Sequence, residues 1–289
     1  MSARLFCFGL GFSARHVIAR LPGWAVAGSI TRPEGLAALA VNSIDGVLFA
    51  DDHALPPDAL TGVTHLLLSI PPGTGGDPVL HYCERDLEEA APGLRWIGYL
   101  STTGVYGDHA GAWVDETTPT APSSERSRRR AQAEQDWLDF GRRHAIPTQI
   151  FRLAGIYGPG RSVLEDIRAG RAQIIERPGH LFSRIHVEDI ATVVVAAMSR
   201  PNAGPIFNVC DDEPAASADV MRFACGLLGV TPPAAVPFDQ AILSPMAQSF
   251  WADHKRVRNE LMKQALGVSL RFPTYREGLR AILEAESEV

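Results

Sequence analysis

Three groups of residues in this 289-residue chain have the types and spacing that chemistry requires. The first is Gly9-x-Gly11-x-x-Ala14, which follows a short apolar run and opens a helical pattern. Glycine at the first position allows a tight turn, and glycine at the second lets a pyrophosphate approach the backbone. A small third residue lets helix and strand pack closely. The first N–H groups of the helix, from Phe12 and Ser13 onward, then face the anion. The pattern predicts a bound dinucleotide; the alternative is a glycine turn of structural use only. The second group refines the cofactor. An NAD site presents Asp or Glu about 20 residues beyond the glycines, to hold the ribose 2′-hydroxyl. Here the sequence is Ser29-Ile30-Thr31-Arg32. A hydroxyl beside a permanent cation suits a 2′-phosphate, so NADP is expected over NAD, with NAD as the alternative. Arg32 as a solvated side chain near Glu34 is the other reading. Asp51 is a candidate for the adenine amine, or else a loop carboxylate beside Asp52. The third group is the basic run Arg126-Ser127-Arg128-Arg129-Arg130, either a patch for an anionic ligand or a solvated helix face.

These residues need a scaffold that delivers them to one place. Six continuous apolar runs read as strands: RLFCF (4–8), WAVAGSI (24–30), GVLFA (46–50), THLLLSI (64–70), LRWIGYLS (94–101) and PTQIFRL (147–153). They lack polar alternation, as expected of a parallel sheet covered on both faces. After the glycine turn, Ala14, Val17, Ile18 and Leu21 recur at helical spacing. Strands separated by helices predict βαβ crossovers, hence an α/β fold with a Rossmann-type doubly wound parallel sheet. The last third changes character. Proline-rich loops such as 229–239 separate helical stretches at 217–229 and 254–267, the second ending on Gly267 as a C-cap. The expected organisation is a dinucleotide-binding domain over 1–160, with a return segment at about 184–209. A smaller, mostly helical substrate lobe is expected over 161–183 and 210–289.

Composition narrows the function classes. A formal net charge of −6 argues against nucleic acid or a membrane surface as a general partner. The four cysteines (Cys7, Cys83, Cys210 and Cys225) form no CxxC pair and no zinc spacing, so no metal is expected. The glycine-broken N-terminal run reads as a strand, not as a signal peptide or membrane span, and a cytoplasmic location is expected.

Ser101-Thr102-Thr103-Gly104-Val105-Tyr106-Gly107 adds a recognisable signature, together with Ser69-Ile70-Pro71-Pro72, Glu116 and Pro119, Arg152–Gly160, Arg184–Ile190 and Asn208–Asp211. In this order along nearly the whole chain, they resemble the extended and atypical short-chain dehydrogenase/reductases, which include NAD(P)-dependent epimerases and dehydratases of nucleotide sugars. The resemblance implies that Thr102 bonds the substrate oxygen and that Ser69, Ile70, Pro71 and Leu153 lie along the cofactor. It implies further that Thr103, Tyr106, Arg184 and His186 face a small polar substrate, and it allows a homodimer. That family uses Tyr-x-x-x-Lys, usually followed four residues later by Glu. Anchored on Glu134, the pair here is Arg126 and Arg130. A phenol can be tuned to exchange protons near neutrality, whereas a guanidinium cannot be deprotonated. Arg130 can still hold ribose hydroxyls, or instead pair with Glu134 one turn on. His186, the imidazole inside a matched motif, is a further candidate for proton transfer, with Tyr106, His109, Tyr157 and Asp211 weaker ones. Phe250, Trp251 and Lys255 are candidates to face the substrate, with a core role as the other reading of the two aromatics. The expected function is an oxidoreductase or epimerase lacking the usual Tyr; the alternatives are a non-catalytic NADP sensor and an interaction scaffold.

Overall fold

A strand buried on both faces must be apolar at consecutive positions, and the chain uses its six apolar runs, with one more, in this way. The computed structural model describes residues 3–41, 43–50 and 55–287. Seven strands form one parallel sheet: β1 (Arg4–Phe8), β2 (Ala25–Ile30), β3 (Asp45–Leu48), β4 (His65–Leu68), β5 (Trp96–Thr102), β6 (Thr148–Leu153) and β7 (Ile206–Val209). Their order is β7-β6-β5-β4-β1-β2-β3, with the chain reversing direction across the sheet between β1 and β4. Ligands of such sheets bind beyond the carboxyl ends of the strands at that reversal. Successive residues supply opposite faces. Leu5, Cys7 and Leu67 join one core with Val193 and Val194 of the helix Val187–Met198, while Phe6, Phe8, Leu66 and Leu68 join the other with Trp137 and Phe140.

The long helix Glu125–Arg143 begins at Ser124, whose hydroxyl accepts the Ser127 N–H, and buries Ala133, Glu134, Trp137 and Phe140 at helical spacing. The smaller lobe has its own core, where Leu164, Val220, Ala224, Leu279 and Ile282 pack between helices Val163–Arg168, Ser217–Leu228 and Tyr275–Ser287. Between the lobes, strand Arg184–His186 pairs with Gly155–Tyr157, and the return helix Val187–Met198 packs toward the sheet before β7 completes it.

One expected helix is shorter than its pattern. Residues 254–267 do not form one helix: Arg256–Val257 is a strand paired with Trp113–Val114, and the helix is Glu260–Leu266. Val257 packs with Val105, Tyr106 and Val114, so tertiary burial overrides local helix propensity. The C-cap stands, since Gly267 is left-handed at φ 61°. Met262 and Leu266 of that helix reach the main core and not the small-lobe core.

Glu134 and Arg152 form an ion pair at 2.7 Å with both side chains about 95 % buried. Arg152 donates from Nε and Nη2, and the Ser101 hydroxyl donates to Glu134 as well. Glu134→Ala should therefore destabilise the protein by about 3–5 kcal/mol, because Arg152 would keep a buried charge without its partner. Urea denaturation measures this, and removal of both charges in Glu134→Leu/Arg152→Met should recover most of the loss.

Candidate cofactor and substrate cavity

The glycine turn sits at the end of β1. Gly9 has φ +90°, which favours glycine, and a Cβ there would lie 3.0 Å from Ile70 Cγ1, a tight contact that Ile70 would have to relieve. Gly9 N–H donates to Ser29 Oγ at 3.0 Å and Leu10 N–H to the Ser29 carbonyl at 2.9 Å. Ser29 is fully buried and spent on holding this turn. Gly11 caps the following helix in extended conformation, and nothing lies within 4 Å of where its Cβ would be. Ala14 is fully buried against the sheet. The turn thus offers an open backbone approach at a helix N-terminus, which fits the pyrophosphate of a dinucleotide. Thr31 and Arg32 follow β2, both exposed, and Arg32 has no ion pair among the described residues. Ser69 and Ile70 follow β4 beside the turn, and Pro71 is exposed. Asp51 lies outside the described residues.

From this turn a cavity of about 650 Å³ runs between the sheet and the smaller lobe. Phe12, Ser13, Ser69, Thr102, Thr103, Arg126, Arg130, Leu153 and Arg184 all line it, as do Phe250, Trp251 and Lys255. Sequence reasoning missed Arg161, Ser183 and Asp253, which carry no motif and come from the lobe or the loops joining it. Arg161 lies over the Phe12 ring at 5.6 Å, linking the glycine-turn helix to the opposite wall. The lining carries Arg126, Arg130, Arg161, Arg184 and Lys255 against the single carboxylate of Asp253. Such a wall attracts anions.

Helical spacing puts Arg126, Arg130 and Glu134 on one stripe of the long helix. Arg130 donates to the Leu100 carbonyl at 2.9 Å and to Tyr99 Oη at 3.1 Å, and does not pair with Glu134, whose oxygens are taken by Arg152 and Ser101. The alternative of an Arg130–Glu134 pair is not what forms: a buried carboxylate needs a buried partner, and Arg152 is the one beside it. Arg126 is exposed at the cavity edge. Thr102 Oγ accepts the Gly104 N–H at 3.1 Å, capping a short 3-10 turn, and no described hydrogen bond takes its own hydroxyl proton. It can therefore cap and still donate into the cavity.

Two expected substrate contacts lie elsewhere. Tyr106 is fully buried beneath the Arg152 guanidinium, 4.8 Å from its ring, and its hydroxyl donates to Asn208 Oδ1 at 2.8 Å. Asn208 N–H in turn donates to Glu116 at 2.7 Å. His186 is buried against Phe272 and Tyr157, and its Nδ1 accepts the Glu188 N–H at 3.2 Å, capping the return helix. Burial holds it neutral, with its pKa pushed down to about 4, so it does not titrate near neutrality as a free imidazole would. Tyr157 is buried in the lobe core, its phenol pushed up by burial. Behind the cavity, Asp211 is buried and raised to about 8 by desolvation, partly opposed by the charge of Arg184. His109 bonds the Tyr106 carbonyl and does not line the cavity.

The model of the NAD dependent epimerase/dehydratase family matches residues 74–210. Protein YeeZ of Escherichia coli is 32 % identical over 224 residues, 73 % of this chain and 78 % of its own. The chain belongs to the NAD-dependent epimerase/dehydratase family. A functionally unknown conserved protein from Silicibacter pomeroyi has a structure 45 % identical to this chain, covering 100 % of both at a TM-score of 0.89. The dTDP-glucose 4,6-dehydratase of Bacillus anthracis, solved in complex with NAD, shares the fold at 15 % identity and a TM-score of 0.76, over 100 % of this chain and 97 % of its own. Membership of the epimerase/dehydratase family accords with the resemblance carried by the glycine turn and the STTGVYG signature. Among the described residues no group of side chains fits a metal ion, and no helix is long and apolar enough to cross a membrane.

The cap made by His186 has a pH consequence. Its folded pKa lies below the unfolded value of 6.5, so the unfolded chain binds the extra proton first. The stability it contributes is complete above pH 6.5 and lost as pH falls toward 4, on the order of 3 kcal/mol. Urea midpoints measured from pH 7.5 to 4.5 should fall less steeply in His186→Asn, which keeps a capping oxygen but cannot titrate.

Proposed function

We propose that this chain is an NAD(P)-dependent oxidoreductase or epimerase acting on a small, polar, anionic substrate, a nucleotide sugar or a molecule of similar charge. The observation that carries this reading is the glycine turn opening onto a cavity with five cationic side chains and one carboxylate. A dinucleotide seated on Gly9 and Gly11 would extend past Ser69 toward Thr102 and Arg130, and when bound its nicotinamide supplies or accepts a hydride. Arg130, held by the Leu100 carbonyl, has guanidinium donors left for ribose hydroxyls. Thr102 donates its hydroxyl proton to the substrate oxygen and stabilises charge that develops there. Arg126, at the position where the family places tyrosine, cannot exchange a proton and instead holds an anionic group of the substrate. Arg32, exposed past β2, selects NADP by meeting its 2′-phosphate.

A second reading is a non-catalytic NADP sensor, favoured by the guanidinium in place of the phenol. A panel of nucleotide sugars separates the two: an oxidoreductase changes the oxidation state of its cofactor with one of them and an epimerase converts one of them into its epimer with no net change in the cofactor, while a sensor leaves all of them unchanged.

The cofactor assignment has a direct test. NADPH should bind saturably in a fluorescence titration and more tightly than NADH. Arg32→Ala should weaken NADPH roughly 10–100-fold, the worth of a charge-assisted hydrogen bond, with little effect on NADH. Equal losses would remove the 2′-phosphate role. With a turned-over substrate in hand, Thr102→Val should lower kcat about 10²–10³-fold while NADPH affinity stays unchanged.

A further inference from the structure

Proton transfer in the cavity needs a group that can lose its proton, and the lining contains very few. Its ionisable side chains are Arg126, Arg130, Arg161, Arg184, Asp253 and Lys255; among the described residues lining it there is no tyrosine, histidine or cysteine. The four arginines keep their protons at any working pH. Of the chain's 27 lysines and arginines only two are lysines, Lys255 and Lys263. Lys263 is on the helix Glu260–Leu266, paired with Asp212 at the surface. Lys255 is on the cavity wall with about 10 % of its side chain exposed.

Its surroundings hold it in place. Lys255 Nζ donates to Asp253 Oδ2 at 3.4 Å, and the other Asp253 oxygen accepts the Ser123 hydroxyl at 2.6 Å, just before the long helix that carries Arg126. The next residues, Arg256–Val257, are clamped by pairing with Trp113–Val114 and by the Arg256 Nε bond to the Gly111 carbonyl at 2.7 Å. A lysine on this short, doubly anchored segment has its reach fixed from both ends.

We propose that Lys255 is the proton donor and acceptor of this site, replacing the family's tyrosine from the wall built by the C-terminal part of the chain. The inference rests on the oxidoreductase or epimerase reading above. In the reductive direction a bound reduced nicotinamide would supply a hydride to the substrate carbonyl carbon, and the C=O π pair would move onto oxygen. That oxygen takes a proton from the Lys255 ammonium, leaving an alcohol, an oxidised nicotinamide and a neutral amine that water reprotonates. The oxidative direction runs the same transfers in reverse, with the neutral amine as base. Burial lowers the affinity of Lys255 for its proton, against the opposing charges of Asp253 and Asp108. His180 lies near Lys255, Asp108, Arg177 and His254, and Arg126 and Arg184 line the same cavity.

Having only two lysines makes the test direct. Protein carrying isotopically labelled lysine gives two side-chain NMR signals, assigned by losing one in Lys255→Met or, if that variant misfolds, by Lys263→Arg, which leaves the Lys255 signal alone. Lys255 is expected to titrate below the ordinary lysine value of 10.5; a midpoint at or above it overturns the proposal. Lys255→Arg keeps the charge and the Asp253 contact but cannot give up a proton. Its kcat should fall roughly 10²–10⁴-fold, with NADPH affinity unchanged and the pH dependence of kcat flattened. An undiminished kcat in Lys255→Arg also overturns it. Absence of both NADPH and NADH binding in the unmodified protein would instead remove the underlying functional reading, so the two failures are distinguishable.

Discussion

A carboxylate buried beneath the long helix sets the geometry on which the cavity depends. Glu134 would cost several kcal/mol in this position alone, so the helix docks only where Arg152 of β6 and Ser101 of β5 meet it. Once that register is set, helical spacing determines what lies four and eight residues earlier. Arg130 falls against the Leu100 carbonyl at the end of β5, and Arg126 reaches the cavity edge. The Arg152 guanidinium lies over Tyr106, which bonds Asn208, which bonds Glu116. Four separate stretches of chain are thus tied through one charge pair. Removing any member leaves a desolvated polar group behind, which is why the network acts as a unit.

This dependence explains what could be read in the sequence and what could not. Six of the seven strands of the sheet were legible because burial on both faces demands continuous apolar runs, and the glycine turn was legible because Gly9 needs a positive φ that other residues resist. Arg152, Tyr106, Glu116 and Asn208 all belonged to recognisable motifs, yet linear order gave no sign that they meet one another and not a ligand. His186 was misplaced for the same reason. A histidine at the start of a helix reads as a titrating group, and only packing against Phe272 and Tyr157 reveals a neutral cap.

The helix expected over 254–267 shows the limit from the other side. Its sequence has the composition of a helix, and local propensity is worth only tenths of a kcal/mol per residue. Burying Val257 among Val105, Tyr106, Val114 and Cys210 contributes more, about 1.5–3 kcal/mol for a side chain of this size. The segment therefore pairs as a strand with Trp113–Val114, and the helix waits until Glu260. Asn259 marks the change, its side-chain amide donating to the Cys210 carbonyl and to Asp212.

That local override also bears on function. A helix from 254 onward would carry residues 253 and 255 at turning angles set by its own periodicity. The strand instead fixes the residues before it against the 108–114 loop: Asp108 accepts the His254 N–H at 2.8 Å, and the His254 carbonyl takes N–H groups from His109 and Gly111. Asp253 and Lys255 alternate with His254 in this extended stretch, so both face one side, toward the cavity, while His254 faces His180. A site that exchanges a phenol for a guanidinium on its long helix gains a fixed positive charge there and loses a mobile proton. It can keep both functions only if another wall supplies a group that titrates, and on the reading proposed above that group is Lys255 in the extended stretch before Val257.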